Sequence, residues 1–149
     1  ITRSGLWNAG LDYGHGTGHG VGAFLNVHEG PQRISPVSHD VSLKPGMIIS
    51  NEPGYYESGW GGIRLENLCR VKSMESGLHQ HPGGKAWLGF ETLMFVPFDQ
   101  NLIDRDLLAS DELQWLDQYH EKTFGKLEKI LENKKHRDWL KKACHPAHP

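Results

Sequence analysis

Three histidines and two glutamates carry most of the chemistry this sequence can offer. His15, His19 and His28 fall in the eighteen-residue stretch "DYGHGTGHGVGAFLNVHE", together with five glycines. Glycine loses the most backbone freedom on folding, so such a run is kept where the backbone must approach something closely. His15 and His19 are four residues apart, a spacing that would place both imidazoles on one face of a helix. The interleaved glycines argue against a regular helix there. His15 is followed by Gly16 rather than Glu, which excludes the HExxH zinc helix, and no G-x-G-x-x-G register supports a nucleotide loop. There remain two readings: a loop or short strand presenting imidazoles at a cleft, or a glycine-rich loop with incidental histidines. Three histidines among the glycines favour the first.

The carboxylates come later in the chain. Glu52 lies where a strand runs into Pro53-Gly54, and Glu66 lies mid-strand with the apolar Leu65 before it and Leu68 two places after. A carboxylate in a half-buried strand is costly unless it is paired or bound to metal. Arg64, two residues from Glu66 and on the same strand face, offers a plain salt bridge as the alternative. One imidazole with two carboxylates is a ligand set for Mn, Fe, Co or Zn, and oxygen-rich sets lean towards Mn.

The elements that must position these groups change character along the chain. Pro45-Gly46 predicts a turn, Met47 to Asn51 a strand, and Pro53-Gly54 a second turn. Gly61-Gly62 predicts another turn, followed by a strand from Ile63 to Val71. In that strand Arg64, Glu66 and Leu68 share one face, and Ile63, Leu65 and Cys69 the other. Residues 73–85 predict a loop. "LGFETLMFVPF" predicts a strand with Leu88, Phe90, Met94, Val96 and Phe98 on a buried face. From Ser110 the period becomes helical, through Leu113, Leu116, His120, Phe124, Leu127 and Leu131. Ser110 is the expected N-cap, with Asp111 and Glu112 favoured by the helix dipole, and Gly125 is a point where the helix could break. A second short helix is expected from about Lys135 to Ala143, and a disordered tail in "ACHPAHP".

The 149 residues suffice for one ordinary domain or a large piece of a bigger one. A net charge of −2 argues against nucleic acid or an anionic membrane as partner, and no apolar run is long enough to span a bilayer. No leader pattern opens the chain, and Ile1 in place of Met suggests a fragment or processed piece. Cys69 and Cys144 are expected as free thiols in a reducing compartment, with a single disulfide left open. Histidines 79, 81, 120, 136, 145 and 148 are expected in loop, helix-surface or tail positions.

Three stretches carry a family resemblance: "GHGTGHGVGAFLNVHEGP", "LKPGMIISNEPGYYESGWGGIRLENL" and "LGFETLMFVPFDQNLID". In this order they resemble the C-terminal part of the Xaa-Pro aminopeptidase (aminopeptidase P) family of pita-bread metallopeptidases. The resemblance implies an α+β fold: a partial pita-bread (creatinase/aminopeptidase-like) domain over residues 1–75, then a small strand-plus-helices C-terminal extension over 86–149. By position, His19, Glu52 and Glu66 resemble metal ligands, with Glu66 bridging two ions. His15 and His28 resemble substrate-binding and proton-transferring histidines, Arg64 an orienting arginine, and Tyr56 an active-site tyrosine. The resemblance further implies two divalent ions, manganese first with zinc or cobalt as alternatives. Its implied substrates are peptides with proline in second position; it also implies a homodimer through the extension, and a cytoplasmic location. The family's two aspartate ligands would lie upstream of this stretch, so the chain alone is expected to bind one ion weakly and to be inactive. Two other readings stay open, a non-catalytic pita-bread peptide-binding module and a dimerisation module carried by residues 87–143, where Trp87, Phe90, Phe95 and Trp115 could form a patch.

Overall fold

Ile49, Cys69 and Val71, all buried, form the centre of the first of two compact units, Ile1–Met94 and Phe95–Pro149. The computed structural model describes residues 2–74 and 87–145. In the first unit a short helix α1 (Ser4–Asn8) precedes seven strands: β1 (Gly18–His19), β2 (Arg33–Ile34), β3 (Ile48–Asn51), β4 (Gly54–Glu57), β5 (Gly61–Arg64), β6 (Asn67–Met74) and β7 (Trp87–Thr92). The main sheet has the order β3-β6-β7, all antiparallel. Ile34, Leu43 and Met47 pack against its three central residues. The pair β1-β2 joins β3 through a single bridge, Gly20 to Ile49. β4 and β5 form a separate hairpin, whose turn places Gly59 at φ +79°, a conformation that favours glycine.

Several expected elements form as read. The turn at Pro45-Gly46 is present, with Gly46 at φ +92°, and β3 follows it. The long strand expected from Ile63 to Val71 is instead two strands in different sheets, broken at Leu65–Glu66. The apolar alternation runs on through the break, so the sequence hides the change of partner. Pro53-Gly54 does not make an isolated turn, because Gly54 begins β4. Leu88 and Phe90 fall on the side of β7 that carries Val71, as Phe90 is paired with Val71 and Leu88 with Ser73. Both nevertheless stay 40–50% exposed, because β7 is the edge of its sheet. Val96 is exposed too. Of the loop expected at 73–85, Ser73 and Met74 belong to β6, and the remainder lies outside the described residues, as does the tail beyond His145 with His79, His81 and His148.

The second unit is a helical hairpin of α2 (Ser110–Leu127) and α3 (Lys134–Cys144). Leu116, Tyr119, His120 and Thr123 line the buried face of α2, and Leu140 and Cys144 that of α3. The cap lies one residue earlier than expected: Ala109 precedes the first turn, and its N–H donates to the Glu112 carboxylate at 2.9 Å. Gly125 does not break α2, since propensity is a weak bias that tertiary packing overrides. Asn133 caps α3 by accepting the Lys135 N–H. The extended segment before α2 is tied down by its backbone. The Tyr119 hydroxyl donates to the Val96 carbonyl at 2.7 Å, and the Phe98 N–H donates to His120 Nε2 at 3.1 Å. His120 is therefore a buried core residue rather than a surface one. Cys144 lies buried on α3 rather than in a tail, and both cysteines are free thiols.

Candidate functional site

The glycines of the histidine stretch stand where backbones touch. A Cβ on Gly18 would lie 2.1 Å from the Ser50 carbonyl oxygen, so β1 can lie against β3 only with hydrogen at that position. The Glu52 N–H donates to the Thr17 carbonyl at 2.8 Å, and the Thr17 N–H to Ile34. Thr17 and Ser50 are fully enclosed. This register brings His19 beside Glu52, with His19 Nε2 2.9 Å from Glu52 Oε1. Ser50 locks the pair, since its hydroxyl accepts the His19 N–H at 2.9 Å and donates to Glu52 Oε1 at 3.0 Å. Glu52 is only 8% exposed. His15 sits on a loop and His19 on a two-residue strand, as the glycine pattern implied. Arg3, a buried cation that sequence reading missed, anchors that loop. Its guanidinium donates to the carbonyls of Tyr13 and His15 and pairs with Asp12 at 2.6 Å. That bond holds the Asp12 carboxyl below the usual carboxylate range.

A second set of contacts surrounds this pair. The His28 ring lies 4.3 Å from that of His19, centroid to centroid. Tyr56 stands on β4 opposite Gly62 of β5, and a Cβ on Gly62 would meet its ring at 2.4 Å. Its hydroxyl receives the Arg64 Nε–H at 2.8 Å and lies 2.8 Å from His15 Nε2. Arginine only donates, so the phenol proton is directed to His15 Nε2, while His15 Nδ1 donates to the Gly16 carbonyl at 2.7 Å. The Tyr56 hydrogen bond, then the Glu52 and Glu66 charges, raise the Arg64 pKa. Arg64 NH1 reaches Glu52 at 3.6 Å. The salt bridge expected from Arg64 to Glu66 is replaced by this one, because β5 ends at Arg64 and Glu66 lies exposed in the break between strands.

His19 and Glu52 fit a divalent ion. His19 Nδ1 donates to the Gly20 carbonyl, which leaves the neutral ring a bare lone pair at Nε2. That lone pair faces a carboxylate oxygen, a repulsive arrangement unless a proton or cation lies between them. Two donors each about 2.1 Å from one ion and at right angles in an octahedral shell sit about 3 Å apart, close to the spacing found. Among the described residues no group of three His, Cys, Asp or Glu side chains converges tightly enough to hold a metal. His19 and Glu52 thus converge as a pair, while Glu66 lies exposed between β5 and β6.

Comparison with known proteins covers nearly the whole chain. A family model described as metallopeptidase family M24 matches residues 1–73, and one described as the C-terminal region of peptidase M24 matches residues 86–147. A Coprinopsis cinerea protein named "Probable Xaa-Pro aminopeptidase P" is 48% identical over 147 residues, which are 97% of this chain and 23% of the relative. Aminopeptidase P2 of Arabidopsis thaliana is 49% identical over 141 residues, 94% of this chain and 20% of the relative. The crystal structure of the X-prolyl aminopeptidase of Caenorhabditis elegans, described as a cytosolic enzyme with a di-nuclear active site, superposes with a TM-score of 0.83 at 35% identity. That match spans 97% of this chain and 23% of the other. The chain thus spans about a quarter of the length of the relatives it matches, and its fold is the corresponding part of a pita-bread domain with the C-terminal region that follows.

Proposed function

The chain belongs to metallopeptidase family M24, and on that premise we propose that it supplies part of the active site of an Xaa-Pro aminopeptidase. The proposed reaction releases the N-terminal residue from peptides with proline in second position. The observation that supports this most is the His19–Glu52 pair, two metal-type donors 2.9 Å apart at a strand junction. The resemblance adds Glu66 to them, and two divalent ions, manganese first with zinc or cobalt as alternatives. Divalent ions, when bound, supply Lewis acidity for hydrolysis.

The chain's own residues then divide the remaining work. His28, beside His19, offers a hydrogen bond to the oxyanion that develops at the substrate carbonyl. His15 keeps a proton at Nδ1 and accepts the Tyr56 hydroxyl at Nε2. Arg64 holds both Tyr56 and Glu52 in place through its fork of donors. Assembly as a cytoplasmic homodimer through the C-terminal extension, residues 86–149, belongs to the same reading.

A chimera tests it, with this chain replacing the matching fifth of Arabidopsis aminopeptidase P2. The chimera is expected to take up two ions and to cleave Arg-Pro-Pro in Mn²⁺, and His19→Ala to abolish both. The chain alone is expected to hold one ion weakly and to leave the peptide intact. A folded, fully loaded chimera that does not cleave overturns the reading. Cleavage by the chain alone, with two ions bound, overturns the incomplete-site part. A second reading, a non-catalytic peptide-binding module, draws on the exposed Glu66 and the absence of a three-donor group among the described residues. A chimera that binds Xaa-Pro peptides without metal uptake would favour it.

A further inference from the structure

His28 is exposed and lies on the loop from Gly20 to Glu29, yet its ring is held 4.3 Å from that of His19. What holds it is the framework of that loop. The Glu29 N–H donates to the Gly20 carbonyl at 2.9 Å and closes the loop at its base, and the Gly20 N–H donates to Gln32 at 2.9 Å. Inside the loop, the Gly22 N–H donates to the Asn26 carbonyl and the Asn26 N–H to Ala23. The Asn26 side-chain amide donates to Glu29 Oε2 at 3.0 Å. Two successive bulky residues, Phe24 and Leu25, take left-handed backbone at φ +52° and +64° to make the reversal. That conformation is unfavourable for a residue with a Cβ, so the surrounding bonds must over-determine it.

Glu29 occupies the space that two glycines leave. A Cβ on Gly20 would meet the Glu29 carbonyl oxygen at 2.0 Å, and a Cβ on Gly22 would meet Glu29 Oε2 at 1.6 Å. The side chain and backbone of Glu29 are thus seated against both glycines, one residue away from His28. We propose that Glu29 is the positioning residue of His28: seated on Gly20 and Gly22 and tied to Asn26, it fixes the loop that holds the His28 imidazole against His19. This explains why the stretch carries glycine at 20 and 22, neither of which has a positive φ. Glu29 touches no reacting group, and it acts through its neighbour.

The inference rests on the proposed function only for its catalytic consequence, so its first test does not use activity. In the full chain with labelled histidines, nuclear Overhauser contacts between the His19 and His28 rings are expected in the wild type. Glu29→Gln keeps the shape and an acceptor for Asn26 and is expected to preserve them. Glu29→Ala is expected to lose them, and so is Gly22→Ala, which evicts the carboxylate without touching Glu29. Contacts that persist in both Glu29→Ala and Gly22→Ala overturn the proposal, as does their loss in Glu29→Gln with the fold intact. In the chimera, Glu29→Ala is expected to lower kcat about tenfold or more with little change in KM, and Glu29→Gln to restore it. An inactive chimera with intact ring contacts would count against the peptidase reading and leave the positioning role standing.

Discussion

At the scale of single residues, one hydroxyl holds the candidate donors in register. Ser50 is enclosed, accepts the His19 N–H and donates to Glu52 Oε1. Replacing it with alanine leaves a partly buried N–H and a carboxylate oxygen without these bonds. Ser50→Ala is expected to cost about 1–3 kcal/mol in denaturant unfolding. In the chimera it is expected to weaken metal affinity by about tenfold or more, as loss of an outer partner does at other metal sites. Unchanged stability together with unchanged metal titration would sink this role. His19 and Glu52 drew notice because histidines among glycines, and a carboxylate before Pro-Gly, are unusual company, and the structure brings the two side chains together. Ser50 and Arg3 were not, since neither serine nor arginine stands out until β1 lies on β3 and α1 on the loop. The one available signal for Ser50 was its position two residues before Glu52 on the same strand face.

At the scale of elements, local periodicity was the readable part. The amphipathic pattern located the start of α2, which ends at Leu127 rather than running on through Leu131, and α3 lies within a residue of its expected bounds at each end. The split of β5 from β6 was not readable, because alternation says which residues share a face but not which strand they pair with. The same elements lead to a prediction about acid. His120, 1% exposed, accepts the Phe98 N–H at Nε2, which places its single proton on Nδ1, an atom with no partner among the described residues. Burial lowers its pKa from 6.5, opposed by Asp117 from its own helix and reinforced by Arg105, two groups that pair with each other. In the unfolded chain the ring gains its proton below 6.5, whereas the folded unit resists it. Stability of the second unit is therefore expected to be level above that pH and to fall as the pH drops below it. Helical circular dichroism melts across this range check it. His120→Gln keeps an acceptor that does not titrate, and is expected to flatten the dependence. A wild-type melting temperature that is level throughout would refute it.

At the scale of the whole molecule, the proportion of exposed apolar side chains decides behaviour. Phe24 and Leu25 are essentially fully exposed, Val27 and Val37 more than half, and Trp87, Leu88 and Phe90 of β7 about half. β7 is also the edge strand of its sheet among the described residues. Exposed apolar surface beside an open edge is a template for pairing with another chain. Natural edges are blunted by charge, particularly lysine, yet the only charged residue within β7 is Glu91, which is already paired with Arg70 at 2.5 Å. The 149-residue chain is therefore expected to enhance the fluorescence of an anilinonaphthalene dye while folded, and to sediment as larger species as concentration rises. Leu88 faces Ser73 and is 40% exposed, so Leu88→Lys puts charge on the edge at little cost to packing. It is expected to shift sedimentation towards monomer without lowering the melting temperature. Phe24→Ser with Leu25→Ser is expected to reduce dye binding more than association, because these residues lie on a loop and not on an edge. A wild-type chain that stays monomeric without dye enhancement would refute the edge argument. Association unchanged by Leu88→Lys but abolished by the loop pair would move the contact from the sheet edge to the Gly20–Glu29 loop.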